Sequence, residues 1–229
     1  MTTTGGEEVR VTEVGANRLT GICAVLFLPL ILVGFGAIVG FSPSIEDDAT
    51  AISDYYADLG FGRAVVGEWL ELLAFVALLV FAAGFVHLIR QTEAAWLGWL
   101  ALAAAATLCG AVVTGIAPLV ALAYLGDHGA VAPEQSVVLN ALRVASHWFS
   151  TVFAATWMLG TAAAVLATRP FPRWLGWGGL AVGLLMLFSV VAPLTGVLDL
   201  GQMLMGLWLL IAGALLLARP RPSADPAVA

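Results

Sequence analysis

The chain has 229 residues, of which 61% are hydrophobic and only 10% charged, with a mean hydropathy of +1.00 and a formal net charge of -6. An ordinary soluble domain is roughly 45–50% apolar and about 25% charged, so a water-soluble fold is excluded by the apolar surface it would have to hide. The basic residues are all arginine and form no basic stripe, which excludes nucleic acid as a partner.

A helix needs about 20 consecutive apolar residues to cross a hydrocarbon core of roughly 30 Å. Six stretches qualify, near 20–41, 64–89, 96–125, 136–168, 174–197 and 201–218. They predict an all-α polytopic membrane bundle of six transmembrane helices. Before them, residues 1–19 are polar and acidic and read as a cytoplasmic tail. The apolar run that follows is too long for a signal-peptide core and reads as a retained anchor.

Between the first two spans, residues 42–63 form an acidic outer loop with a helical signature of its own. Ser44 followed by Asp47 resembles a capping box, and Ile52, Tyr55 or Tyr56, and Leu59 recur at helical spacing up to Gly60. A short amphipathic helix on the outer surface is expected, either as a lid over the bundle or as a solvated connector. The second span carries Glu68 and Glu71 one turn apart near its outer end, and His87 near its inner end.

The third span opens with Trp-Leu-Gly-Trp at 96–99, and the same tetrapeptide opens the fifth at 174–177. Arg18-Leu-Thr-Gly21 in the first span is a fainter echo, and Ile-Ala-Pro-Leu at 116–119 is matched by Val-Ala-Pro-Leu at 191–194. These echoes predict a hairpin repeated three times in parallel. The competing explanation is compositional, because Trp favours the headgroup level. Small residues at four-residue spacing, Ala103, Thr107, Ala111 and Gly115 in the third span, Gly36 and Gly40 in the first, and Gly179 and Gly183 in the fifth, are expected to let helices approach closely. Pro118 and Pro193 are expected to bend the outer ends of the third and fifth spans.

The fourth span begins Leu139-Asn-Ala-Leu-Arg-Val-Ala-Ser-His-Trp148, placing Asn140, Arg143 and His147 on one helical stripe. The sixth enters with Asp199 and Gln202. Ionisable groups at bilayer depth are costly and normally face the bundle interior and one another. The candidate cluster is therefore Glu68, Glu71, Asn140, Arg143, His147, Asp199 and Gln202. In one reading Arg143 pairs with Glu68 or Glu71 and fixes helix register. In another, the group is an outward-facing pocket for a proton, cation or small polar ligand, because a histidine beside carboxylates titrates near neutral pH. A third reading, a metal held by His128, His147 and a carboxylate, has no supporting motif.

No catalytic, cofactor-binding or metal-binding residues are expected: a G-x-S-x-G elbow, a P-loop and a dinucleotide fingerprint are all missing. Cys23 and Cys109 fall in different helices and read as packed thiols. Arg10, Arg18, Arg90, Arg169, Arg173, Arg219 and Arg221 fall in the segments that six crossings put on one side, which predicts a plasma-membrane protein with both termini cytoplasmic. The last residues, 219–229, are expected to form a disordered cytoplasmic tail.

Phe171-Pro-Arg-Trp-Leu-Gly-Trp-Gly-Gly-Leu180 resembles the Pro-Arg-x-Leu-Gly turn of a broad group of uncharacterised bacterial multi-helix membrane proteins, many of them actinobacterial. The resemblance implies a plasma-membrane helical bundle and supplies no catalytic residues. The expected function is that of a structural or accessory membrane component. The alternatives are a small-solute or ion- or proton-coupled transporter and, third, an intramembrane enzyme. The lipid bilayer is the expected partner, with a homo-oligomer or another membrane protein left open.

Overall fold

The computed structural model describes residues 4–40, 42–130, 132–191 and 195–219, and side chains at 15–40, 42–130, 132–190 and 200–219. It holds seven α-helices: α1 (Thr4–Ile31), α2 (Ala49–Leu59), α3 (Phe61–Ile89), α4 (Ala95–Asp127), α5 (Pro133–Thr168), α6 (Arg173–Val191) and α7 (Thr195–Leu217). No strand occurs among the described residues. Six of the helices are long and apolar enough to cross a membrane, and only α2 is not.

The spans agree with the sequence to within a few residues, with four differences. The helical backbone of α1 begins at Thr4, inside the expected tail, and continues into a π-helical segment, Leu32–Val39. The described part of α6 ends at Val191, short of the expected 197; Pro193 lies outside the described residues, as does the expected tail from 220 onward. The helix α7 begins at Thr195, six residues before the expected 201. Pro118 is buried within α4, which runs on to Asp127. Spanning helices tolerate proline because neighbouring groups satisfy the freed carbonyl.

Each spanning helix packs on its neighbours in the chain, and α7 returns to α1, closing a ring in the order α1, α3, α4, α5, α6, α7. The second helix of each expected hairpin sends one aromatic to the middle. Phe81 of α3, Trp157 of α5 and Trp208 of α7 meet edge to face, with ring centroids 6.1 to 6.3 Å apart. Such contacts align the positive edge of one ring with the negative face of another, a preference worth about 0.5–1.5 kcal/mol per pair beyond the area buried.

The expected repeat has a physical counterpart. A Cβ added at Gly98 of α4 would lie 2.8 Å from Ile89 Cδ1 of α3. At Gly176 of α6 it would lie 2.7 Å from Leu166 Cγ of α5, and at Gly21 of α1 it would lie 2.9 Å from Leu217 Cγ of α7. Three times around the ring, the first helix of a hairpin uses a glycine to seat itself on the last turns of the helix before it. The flanking tryptophans Trp96, Trp99, Trp174 and Trp177 point away from the bundle and are 57 to 64% exposed.

Not every small residue serves this purpose. Gly179 and Gly183 do sit against α5, where an added Cβ would fall 2.9 Å from Ala162 Cβ and 2.8 Å from Leu159 Cγ. Gly36 and Gly40, by contrast, face open space, and of the α4 stripe Ala103 and Thr107 are exposed while Gly115 faces α5, where an added Cβ would lie 3.4 Å from Ser146 Cβ. The buried face of α4 is instead Ala101, Ala104, Ala105 and Leu108. Four-residue spacing identifies a stripe, but lipid and protein accept small residues equally, so it does not say which stripe is covered.

The short helix α2 is a lid. Asp48 caps it by accepting from the Thr50 and Ala51 N–H groups at 2.8 and 2.9 Å, and Gly60 ends it with φ +70°. Ser44 and Asp47 bond within the preceding turn, with Ser44 four residues before the actual N-cap, so the expected capping box does not start the helix. Ile52, Tyr56 and Leu59 are buried against Leu119, Leu122 and Ala123 of α4, a small apolar core separate from the main one. The α2–α3 junction is tied to α4 as well, because the Asp127 carboxylate accepts the Phe61 N–H at 2.8 Å. We call this end of the bundle the lid end, and the end bearing the Trp-Leu-Gly-Trp turns the tail end.

Candidate functional site

Beneath the lid, a cavity of about 50 Å³ opens between α3, α4 and α5. Glu68 and Glu71 of α3 line it, as do Arg143, Ser146, His147 and Ser150 of α5. The room comes from Ala111 and Gly115 on α4, where a methyl group and a bare Cα leave a gap at that level. The position of α3 is set by a close approach to the π-helical segment: a Cβ on Gly34 would lie 2.7 Å from Gly67 O, and one on Gly67 would lie 2.6 Å from Val39 Cγ2. With Gly67 fixed there, the next residue, Glu68, and Glu71 one turn on are turned into the bundle.

Glu68 is 4% exposed, and Glu71, one helical turn on and only partly covered, lines the same cavity beside it. Arg143 does not complete the expected ion pair. Among the described residues no ion pair joins it to either glutamate; its guanidinium donates instead to Pro43 O at 3.0 Å and to Asn140 Oδ1 at 3.2 Å. The carbonyl of the loop before α2 takes the donors that the helical stripe directed toward α3, so the positive charge faces the carboxyl pair across the cavity while the donors serve the lid.

Asn140 is fully buried and organises the ceiling. Its Nδ2 donates to Ser44 O at 3.0 Å and, more weakly, to Pro43 O at 3.4 Å, while its Oδ1 accepts from Tyr56 at 3.0 Å. Tyr55 donates to Val39 O at 2.9 Å, and burial, the largest influence, pushes its phenol up to about 12. Burial raises the Tyr56 phenol too, partly offset by the nearby Arg143 charge and its hydrogen bond. Neutral tyrosine hydroxyls thus fasten the lid to α5 and to the end of the π-helical segment.

On α7, Gln202 Nε2 lies 3.4 Å from His147 Nε2, which brings a fourth helix to the site. The Asp199 side chain lies outside the described residues. The structure therefore gathers Glu68, Glu71, Arg143 and His147 around one cavity, with Asn140 above it and Gln202 at its side. His128 stacks on Tyr124 at the end of α4, outside the cavity lining, and His87 lies at the other end of α3. Cys23 and Cys109 are free thiols. Among the described residues no three His, Cys, Asp or Glu side chains come together as a metal-ligand set.

Sequence reasoning missed Tyr56 and the Pro43 and Ser44 carbonyls. A usable signal existed for the tyrosine, since a hydroxyl on an otherwise apolar helical stripe needs a partner once buried. Backbone carbonyls carry no side-chain signal.

The model of the DUF4386 family, a domain of unknown function, matches residues 22–213. The chain belongs to the DUF4386 family. The matched region runs from within α1 to most of α7 and contains the lid and every cavity-lining residue. No curated protein and no solved structure matches the chain.

Proposed function

We propose that this DUF4386 chain is a plasma-membrane protein whose Glu68–Glu71 pair takes up and releases a proton beneath the lid, as the binding step of an ion- or proton-coupled transport cycle. The observation that carries the reading is that two carboxyl groups one helical turn apart line a single cavity together with Arg143 and His147. Two neighbouring carboxyl groups repel each other when both are charged, which favours one proton shared between them. A cavity of about 50 Å³ suits a proton, a water or a single small ion. The structural or accessory role is the second reading, favoured by the use of Arg143 to fasten the lid.

Infrared spectra of the protein in nanodiscs test the proton reading. Subtracting spectra of the Glu68→Gln, Glu71→Gln double variant from those of the native chain isolates the pair. A protonated-carboxyl band that rises and falls reversibly with pH is the expected result. No pH-dependent difference between the two proteins would overturn the proposal.

For orientation, the reading places the lid end outside and the tail end, with Arg90 and Arg169, in the cytoplasm. With Cys23 and Cys109 replaced by alanine, an impermeant maleimide on whole cells should label Ser53→Cys and spare Thr92→Cys. The reverse pattern would invert the topology.

A further inference from the structure

Two polar atoms in the middle of the bundle have no hydrogen-bond partner within the protein: Trp157 Nε1 and Thr161 Oγ1, on residues that are both 0% exposed. Neither is an accident of a loose region. The Trp157 indole is gripped by Phe81 and Trp208, with centroids at 6.3 and 6.1 Å and interplanar angles of 73° and 90°, so its N–H edge cannot swing elsewhere.

Thr161 departs from the rule of its own helix. Every other serine and threonine of α5 donates to the carbonyl three or four residues back, as Thr156 does to Val152 O and Thr168 to Ala164 O, both at 2.8 Å. That back-bond is the default for a buried hydroxyl in a helix, and Thr161 forgoes it.

The two residues are four apart, so they share one face of α5, and helical side chains lean toward the N-terminus. The short Thr161 side chain therefore overlies the turn of Trp157, while the indole leans toward the cavity. The same face carries Arg143, His147 and Ser150 in the cavity lining and fully buried Thr151 one position on. A bilayer offers no bulk water to satisfy such groups, and a buried water needs two or more polar partners close together.

We infer that Trp157 Nε1 and Thr161 Oγ1 hold a buried water on the inner face of α5, beyond the cavity toward the tail end and separated from it by Ala154. The water accepts from the indole N–H and exchanges a hydrogen bond with the hydroxyl. Its part in proton movement rests on the proton reading above; its presence does not.

Trp208 is the internal control. Its indole is equally central and only 4% exposed, but it donates to Leu175 O at 2.8 Å. With indole nitrogens labelled in nanodiscs, and the signals assigned by Trp157→Phe and Trp208→Phe, magnetisation transfer from water should reach the Trp157 N–H and miss that of Trp208. Thr161→Val should cut the Trp157 signal several-fold, and Thr161→Ser should keep it. A native Trp157 indole as silent as Trp208, or a signal unchanged in Thr161→Val, would overturn the inference. The Glu68 and Glu71 infrared band is independent of this result, so either conclusion can fail alone.

Discussion

The tail end and the lid end of the bundle are built by different rules. At the tail end one device is used three times: Gly21, Gly98 and Gly176 each seat a helix on the one before it. At the lid end the symmetry is broken. One extra helix, α2, covers α4 and α5, and its buried face is joined to α5 through Tyr56, Asn140 and Arg143. Close packing of small residues suffices where only dispersion must be satisfied. Polar groups away from bulk water demand specific partners, and three equivalent hairpins would not supply them.

The largest effect is expected where the tail-end packing converges. Trp157→Ala removes the side chain that touches both Phe81 and Trp208, and large-to-small changes at such sites cost about 3–5 kcal/mol. Reversible unfolding should show a loss of that size. A loss below about 1 kcal/mol would mean that the three aromatics do not hold the ring together.

At the lid end, Arg143→Ala strips charged donors from Pro43 O and Asn140 Oδ1, bonds worth about 1.5–3 kcal/mol each in other proteins. Both acceptors keep a second donor, Asn140 Nδ2 on Pro43 O and the Tyr56 hydroxyl on Asn140 Oδ1, so the expected loss is nearer to one such bond than to two and smaller than for Trp157→Ala. It should come with faster proteolysis within 42–60, because the lid is released first. Equal proteolysis in both variants would show that the lid is not fastened separately. The smallest effect belongs to Trp174→Ala: its side chain is 57% exposed at the tail end, and stability should stay within about 0.5 kcal/mol.

The sequence read the two ends unequally well. Repeated Trp-Leu-Gly-Trp and the six long apolar runs exposed the hairpins, because hydrophobic length and interfacial tryptophan are properties of a segment taken alone. Helical spacing likewise placed Asn140, Arg143 and His147 on one stripe, and the cavity and its ceiling do use that stripe. It gave the wrong partner for Arg143, since the winning acceptor is the carbonyl of Pro43, 100 residues away in the chain. The lid's amphipathic pattern was visible in Ile52, Tyr56 and Leu59, yet the same pattern fits a helix resting on the membrane surface.

What the sequence by itself determined is therefore the class, the number of spans and the identity of the polar residues, all consequences of the bilayer acting as solvent on each segment separately. Only the tertiary structure decided that Gly34 and Gly67 come close enough to turn Glu68 and Glu71 inward, that α2 closes over α4 and α5, and that Trp157 and Thr161 face each other's neighbourhood without a protein partner. These depend on which helix faces meet, and where lipid and protein interior are nearly equally apolar, hydrophobicity along the chain does not encode that choice.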